Sequence, residues 1–181
     1  MLERLGVAYC IGGSLASSAH GFPRSTNDAD VVADLQERHV KPLVTALIDA
    51  YYVDEDVARD AVQRRVSFNL IHLETMFKID VFASGSTPYD RLELDRRIES
   101  RLGREEGGRS FAVASPEDTV LRKLKWYRDS GQTLDQQWRD VQDVLAVQAD
   151  AVDRDYLRRW APALGVTDLL EKALLEAELA D

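Results

Sequence analysis

The stretch from residue 9 to residue 30 constrains this chain more than any other. It reads as a strand, a Gly-Gly-Ser turn, a short helix, a loop and a second strand that opens with Asp28 and Asp30. Side chains two apart on a strand share a face, so the two carboxylates project the same way, roughly 7 Å apart at Cα. Two carboxylates at this short distance repel one another unless a cation lies between them. Hard oxygen ligands of this kind suit Mg²⁺ or Mn²⁺. The pattern therefore predicts half of a metal site.

The turn at Gly12, Gly13 and Ser14 predicts a phosphate-binding element. It opens a helix, where free backbone N–H groups and the helix dipole favour anions. Glycines without a Cβ let a phosphate approach the backbone, and the Ser14 hydroxyl is placed to bond phosphate oxygens. The alternative for Ser14 is a plain N-cap role. A phosphate cradle beside a metal site is what transfer of a nucleotide or phosphoryl group requires.

These motifs resemble the signature of the DNA polymerase β-like nucleotidyltransferase superfamily. The sequence pattern from His20 to Asp30, together with the Lys78-Ile79-Asp80 motif, is similar to the corresponding motifs of minimal nucleotidyltransferases and AbiEii-type toxins. The resemblance covers about half of the chain. It implies that Asp80 is a third carboxylate from a later strand. It also implies that Asp28 and Asp30 bind two divalent ions and that Asp80 binds the catalytic one.

Four further residues are candidate nucleotide ligands. Arg24 offers a guanidinium fork four residues before Asp28, with ordering of the loop as the alternative. Thr26 is a weaker candidate that more often holds such a loop. Lys78 shares a strand face with Asp80, against the alternative of a strand-edge lysine. Lys123 falls on the margin of a buried helical stripe, where a phosphate contact and a snorkelling surface lysine are equally expected.

The order of elements predicts an α+β fold. Strands dominate the first two thirds of the chain, and Ser115-Pro116 begins the first of four helices near 116–129, 135–148, 153–163 and 167–179. We expect a nucleotidyltransferase-like mixed β-sheet core with flanking helices at 1–114 and a C-terminal helical bundle at 115–181. A helix is predicted from Glu37 to Tyr51, and residues 84–109 read as polar and irregular. The three tryptophans, Trp126, Trp138 and Trp160, favour helix packing over a base-stacking platform.

Composition limits the function classes. Of 181 residues, 45% are hydrophobic, which is enough for a core, and the net charge of −9 argues against broad binding of duplex DNA. The single cysteine, Cys10, excludes an intramolecular disulfide. The sequence shows neither a signal peptide nor the ~20 consecutive apolar residues of a membrane span, so we expect no membrane association and a cytoplasmic protein.

The sequence favours a metal-dependent nucleotidyltransferase that moves NMP from an NTP to a hydroxyl acceptor, with Mg²⁺ or Mn²⁺ as cofactor. The acceptor is left open between an RNA end, a protein and a small molecule. The resemblance to AbiEii-type proteins implies a toxin–antitoxin role with a cognate antitoxin as partner. The alternatives are a nucleotide-sensing or partner-binding module without turnover, and a glycosyltransferase, which the short length disfavours.

Overall fold

The computed structural model describes residues 1–101, 110–149 and 151–179. Within these residues the chain forms one seven-stranded mixed sheet, eight α-helices and an N-terminal 3₁₀ turn at Leu2–Leu5. The strands are β1 (Tyr9–Ile11), β2 (Asp28–Ala33), β3 (Tyr51–Tyr52), β4 (Ser67–His72), β5 (Lys78–Ala83), β6 (Ile98–Arg101) and β7 (Ser110–Val113). The helices are α1 (Gly13–His20), α2 (Glu37–Leu47), α3 (Glu55–Arg64), α4 (Pro88–Asp95), α5 (Pro116–Asp129), α6 (Asp135–Val147), α7 (Arg154–Leu164) and α8 (Thr167–Glu178).

The sheet has the strand order β3-β4-β5-β2-β1-β7-β6. Strand β2 pairs with β1 antiparallel and with β5 parallel, so the two strands that carry the predicted carboxylates are neighbours. Strands β4 and β5 form an antiparallel hairpin, and the alternation of apolar and polar residues in their sequences is typical of such a pair. The sheet thus places β2 at its centre, with Asp28 and Asp30 on the face opposite Val31 and Ala33.

One face of the sheet is covered by α2 and α3. Their apolar stripes, which include Val40, Leu43 and Val62, pack with Leu70 and Val81 of the hairpin. The predicted helix from Glu37 to Tyr51 is too long at its end: α2 stops at Leu47, and Tyr51–Tyr52 pairs with β4 instead. Aromatic residues fit a pleated edge well, and here the pairing partner prevails over the helical periodicity.

The C-terminal helices begin as predicted. Ser115 caps α5 by accepting a hydrogen bond from the Asp118 backbone N–H at 3.1 Å, and Pro116 occupies the first turn. Helices α5 to α8 and Tyr89 of α4 share a buried apolar cluster centred on Leu121, Val144 and Leu170. The division of the chain at residue 114 stays a prediction.

The segment from 84 to 101 is more regular than the sequence suggests. It forms α4, which Thr87 and Asp90 cap reciprocally, and then β6 on the edge of the sheet. The rest of the predicted irregular segment, 102–109, lies outside the described residues. Among the helices of the described ranges, none is both long and apolar enough to cross a membrane.

Candidate active site

The start of α1 lies directly against the second predicted carboxylate. The Gly12 backbone N–H donates to the Asp30 carbonyl at 2.8 Å, and Gly13 has a φ of +55°. A Cβ on Gly13 would lie 1.7 Å from Asp30 Oδ2, whereas a Cβ on Gly12 would meet no described atom within 4 Å. Gly13 is therefore glycine because Asp30 fills the space beside it, and the open approach expected for a phosphate is at Gly12.

The register of β2 and β5 brings the predicted acidic residues together. Asp30 is the cross-strand partner of Asp80, and Asp28 is the partner of Lys78. Parallel neighbours in register point to the same face, so three carboxylates and one ammonium form a compact group on one side of the sheet. The resemblance implied that Asp80 joins Asp28 and Asp30, and the register shows which of these residues are cross-strand neighbours.

The carboxylates perturb one another. Burial and, to a lesser extent, the charges of Asp28 and Asp80 raise the pKa of Asp30 to about 6, although Lys123 and Lys78 partly offset the rise. Two neighbouring carboxylates thus disfavour the charged form of Asp30 more than the two lysines favour it. A cation at this position would relieve the repulsion.

Two of the carboxylates already have partners. The Thr26 hydroxyl donates to Asp28 Oδ1 at 2.6 Å, and Lys78 Nζ lies 2.7 Å from Asp80 Oδ2. The hydrogen bond to Asp80 raises the pKa of Lys78, which stays charged. Thr26 thus orients Asp28 rather than pointing away from the site, and Lys78 acts as an internal counter-ion.

Arg24 and Ser14 are also in contact. Arg24 Nη2 donates to Ser14 Oγ at 2.5 Å, and the same guanidinium pairs with Asp140 at 3.1 Å. The Asp140 carboxylate also accepts from Ser17 at 3.1 Å and from Gln136 at 2.8 Å. The loop before β2 is therefore fixed to α1 and α6 through one acidic side chain.

Lys123 is buried, which the sequence did not indicate. It is 1% exposed, and its Nζ lies 2.7 Å from Asp140 Oδ2. Burial lowers the pKa of Lys123, although Asp140 opposes that shift. Burial alone would raise the pKa of Asp140, but the hydrogen bonds from Arg24, Lys123 and Gln136 outweigh it and lower the pKa to about 2.

Asp140 belongs to the site but is not among the metal or nucleotide ligands that the sequence predicts. In the sequence it belongs to an Arg139-Asp140 cluster, which taken alone reads as a solvated charged face. The structure shows it 2% exposed. The spacing along α6 could have indicated its burial. Asp140 precedes Val144 by four residues, so both lie on the buried face of the helix.

A cavity of about 320 Å³ opens between the sheet and α5. Of the predicted site residues, Gly12, Gly13, Asp30 and Lys123 line it, while Ser14, Arg24, Thr26, Asp28, Lys78 and Asp80 do not. Its other walls include Val32, Phe82, Glu93, Thr119 and Trp126. Trp126 packs on Phe82 with ring centroids 5.8 Å apart, so this tryptophan faces the cavity rather than the helical bundle.

The donor types at the carboxylate group suit a hard divalent ion. Carboxylate oxygens are the ligands that Mg²⁺ and Mn²⁺ prefer. Burial and the neighbouring carboxylates raise the pKa of Asp30, and a bound cation would favour its charged form. In the described part of the chain, no three acidic, histidine or cysteine side chains are already arranged as a metal-binding group. Asp28, Asp30 and Asp80 fit such an ion in the type of donor they offer, while Lys78 bonds Asp80 and Thr26 bonds Asp28.

The chain resembles known proteins in its structure. By sequence, no protein-family model and no curated protein matches the chain. By structure, it is similar to an antigenic nucleotidyltransferase-like protein from Paracoccidioides brasiliensis, with a TM-score of 0.52, 18% identity, and coverage of 96% of this chain and 86% of that one. The chain has a nucleotidyltransferase-like fold.

Two further structures also match. The lincosamide antibiotic adenylyltransferase LnuA in its lincomycin-bound form matches with a TM-score of 0.47 and 14% identity over 81% of this chain and 90% of that chain. The antibiotic-resistance factor ANT(2'')-Ia matches with a TM-score of 0.48 and 14% identity over 99% and 91%, respectively. The match to the nucleotidyltransferase-like protein from Paracoccidioides brasiliensis confirms the fold that the sequence motifs imply, while the AbiEii subtype stays a prediction.

Proposed function

We propose that this protein is a metal-dependent nucleotidyltransferase that transfers NMP from an NTP to a hydroxyl acceptor. The observation that carries the proposal is the contact between the start of α1 and Asp30, next to Asp80. It puts a candidate phosphate-binding turn and candidate metal ligands within one side-chain length of each other. A nucleotidyltransferase-like fold supports the same assignment.

In the proposed reaction, the triphosphate lies against the start of α1 at Gly13 and Ser14, with Lys78 neutralising part of its charge. The acceptor oxygen forms a bond to the α-phosphorus as the bond to the β-phosphate oxygen breaks, and pyrophosphate leaves with that electron pair. Asp80 takes the proton of the acceptor hydroxyl. Asp140 holds Arg24 at 3.1 Å and Lys123 at 2.7 Å, so both cations stay close to Gly13 and Ser14.

Asp28, Asp30 and Asp80 are the residues that would hold Mg²⁺ or Mn²⁺. Bound there, the ions supply charge neutralisation for the triphosphate and lower the pKa of the acceptor hydroxyl. Thr26 contributes by fixing the rotamer of Asp28 through its hydrogen bond of 2.6 Å. The toxin–antitoxin role, and an antitoxin as partner, rest on the sequence resemblance alone.

One observation favours the second candidate, a nucleotide-binding or partner-binding module without turnover. Lys78 bonds Asp80 at 2.7 Å, and a protein without metal chemistry would keep that pair permanently. The two candidates differ in whether the lysine yields its position when a metal nucleotide binds.

Calorimetry with each of the four NTPs, in Mg²⁺ and in EDTA, tests the proposal. We expect binding with Mg²⁺ and much weaker binding with EDTA, together with release of labelled pyrophosphate when an acceptor is present. Equal affinity in both buffers would rule out the metal-dependent interpretation. Metal-dependent binding with no pyrophosphate released under any condition would favour the module without turnover.

A further inference from the structure

A threonine hydroxyl lies beside the candidate metal ligands. Thr26 Oγ1 donates to Asp28 Oδ1 at 2.6 Å. Asp28 is in turn the cross-strand partner of Lys78, whose ammonium group pairs with Asp80. The proposed reaction ends on a hydroxyl, and here the chain itself places one at the carboxylates.

The backbone on either side of Thr26 is fixed at the two halves of the site. Two residues before it, Arg24 donates to Ser14 Oγ at the start of α1, and the Arg24 backbone N–H donates to Ser18 Oγ at 3.3 Å. Two residues after it, Asp28 begins β2. Because two residues of chain span at most about 7 Å, Thr26 is confined between the proposed phosphate-binding turn and the carboxylates. A triphosphate that joins this turn to a metal at the carboxylates brings its α-phosphorus into the same interval.

The loop that carries Thr26 is open to a ligand. Thr26 is half-buried, and its neighbours Ser25 and Asn27 are exposed. Among the backbone hydrogen bonds of the described turns and loops, none involves residues 25–27. The hydroxyl can therefore move towards a phosphorus without loss of regular structure.

Asp28 is placed to accept the proton of this hydroxyl. A general base lies within about 2.6–3.2 Å of the atom from which it takes a proton. The distance from Thr26 to Asp28 is at the short end of that range. A hydroxyl and a base that the fold already holds together need no encounter in solution, which lowers the barrier to attack.

We propose that Thr26 is a modification site and that the chain transfers one NMP from a bound NTP to its own Thr26 Oγ1. The inference rests on the proposed function and names an acceptor for it. Thr26 Oγ1 forms a bond to the α-phosphorus as the bond from that phosphorus to the β-phosphate oxygen breaks. Pyrophosphate leaves with that electron pair, and Asp28 takes the hydroxyl proton.

The product of this transfer occupies the site that made it. The attached nucleotide lies between Ser14 and Asp28, where the next triphosphate would have to bind. The reaction therefore stops at one nucleotide per chain. The modified protein should neither bind a further NTP nor pass NMP to another acceptor.

Two variants at position 26 separate the acceptor from a residue that only orients Asp28. Thr26→Ser keeps the hydroxyl and should be modified, whereas Thr26→Val is nearly isosteric, offers no oxygen and should stay unmodified. Position 26 is a half-buried loop position, so the melting temperature should hardly change in either variant. The matched control is Ser25→Ala, which removes the adjacent exposed hydroxyl and should be modified like the wild type.

The full chain would be incubated with Mg²⁺ and each of the four NTPs, labelled at the α-phosphate or at the γ-phosphate. Intact-mass spectrometry counts the nucleotides on each chain, and tandem spectrometry of its peptides locates them. We expect label from the α-phosphate only, one NMP per chain, on Thr26. Calorimetry on the purified modified chain gives a readout that needs no turnover, and NTP binding should be lost there.

A mixture of two variants tests whether the transfer is intramolecular. Asp80→Asn keeps Thr26 but lacks the third carboxylate, and Thr26→Val keeps all three carboxylates but lacks the acceptor. In a mixture of the two, neither chain should be labelled. Label on the Asp80→Asn chain would show transfer between molecules and would overturn the intramolecular assignment.

Other results would overturn the inference as a whole. Label on a residue other than Thr26, label from the γ-phosphate, or equal labelling of Thr26→Val would each do so. If the wild-type chain binds NTP with Mg²⁺ and passes NMP to an added acceptor but stays unlabelled, the inference fails and the proposed function stands. If no NTP binds in Mg²⁺, both fail together.

Discussion

Gly13 and Asp30 are in direct contact, because a Cβ on Gly13 would lie 1.7 Å from Asp30 Oδ2. The backbone of Gly13 is also in the left-handed region, with a φ of +55°. The contact couples the first residue of α1 to the centre of the proposed metal site. While Asp30 occupies this position, only glycine fits at residue 13.

We predict that Gly13→Ala lowers both stability and turnover. The left-handed conformation costs a residue with a Cβ about 1–2 kcal/mol, and the clash must also displace Asp30. Thermal unfolding and pyrophosphate release measure the two effects. The control is Gly12→Ala, which meets no described atom and has a φ of −114°, so its melting temperature should change much less.

A double variant shows whether Asp30 is the cause. Gly13→Ala combined with Asp30→Ala removes the clash but keeps the backbone strain. We expect stability to recover in part while turnover stays lost. A double variant that is as unstable as Gly13→Ala alone would mean that the helix start, not the aspartate, is responsible.

Asp80→Asn should abolish transfer while NTP binding persists. A group that acts mainly in the transition state affects turnover more than ground-state affinity. The matched control is Asp34→Asn. Asp34 follows directly after β2, is exposed, and accepts a hydrogen bond from Gln36. Initial rates and calorimetric affinities should show a large loss of turnover for the first variant only. Wild-type turnover in Asp80→Asn would place the third carboxylate elsewhere.

Much of the fold was predictable because its signals are local. Alternation marks β4 and β5, and Ser115-Pro116 marks the start of α5, so each element could be placed without knowing its neighbours. The predicted end of α2 was wrong because Tyr51 and Tyr52 pair with His72 and Ile71 of β4, which are about twenty residues away in the chain. Edge pairing of that kind leaves no periodic signal.

For the candidate site, the sequence predicts residue types better than contacts. The alternation of Asp28 and Asp30 predicts that they share a face, but only the register shows that Asp30 pairs with Asp80. Likewise, Lys123 was expected at the margin of a stripe and is fully buried, because Asp140 on α6 supplies a counter-charge. Such a partner is 17 positions away and follows no local rule.

The Lys123–Asp140 pair should be essential to stability. Asp140→Asn leaves a buried ammonium without a charged partner, which costs about 3–5 kcal/mol. The control is Asp143→Asn, one turn further along α6. Burial and the charge of Asp140 raise the pKa of Asp143, so its removal should leave the free energy of unfolding unchanged or slightly increase it. The double variant Lys123→Met with Asp140→Asn should recover part of the loss, because an apolar side chain replaces the stranded charge. Urea unfolding measures all three.

The hydrogen bonds that Arg24, Lys123 and Gln136 make to Asp140 also set a pH dependence. The native pKa of Asp140 is lowered from 3.8 to about 2, so the native state holds this proton less tightly than the unfolded chain does. Its stabilisation, roughly 2 kcal/mol, is present above pH 4 and is lost as the pH falls towards 2. The stability gap between wild type and Asp140→Asn should therefore narrow between pH 4 and pH 2. A constant gap over that interval would mean that the charge of Asp140 does not stabilise the fold.

The last prediction concerns Lys78, the exposed lysine beside the carboxylates. Its Nζ lies 2.7 Å from Asp80 Oδ2 in the protein alone, and we expect it to move to the triphosphate when an NTP binds. Lys78→Ala should then raise the NTP dissociation constant by roughly ten- to a hundredfold, the cost of a charge-assisted contact of about 1.5–3 kcal/mol. The side chain is 42% exposed, so the melting temperature should hardly change.

Lys125→Ala is the matched control, because Lys125 pairs with Asp129 on the exposed side of α5 and does not line the cavity. Its NTP affinity should equal that of the wild type. Calorimetry with Mn²⁺ alone adds an independent readout: without Lys78, the carboxylates have lost their internal counter-ion, so Lys78→Ala should bind the ion more tightly than the wild type does. If NTP affinity falls but Mn²⁺ affinity does not rise, Lys78 contacts the phosphates without competing for the metal position. If both lysine variants bind NTP as the wild type does, the triphosphate lies on the side of Arg24 and Lys123 instead.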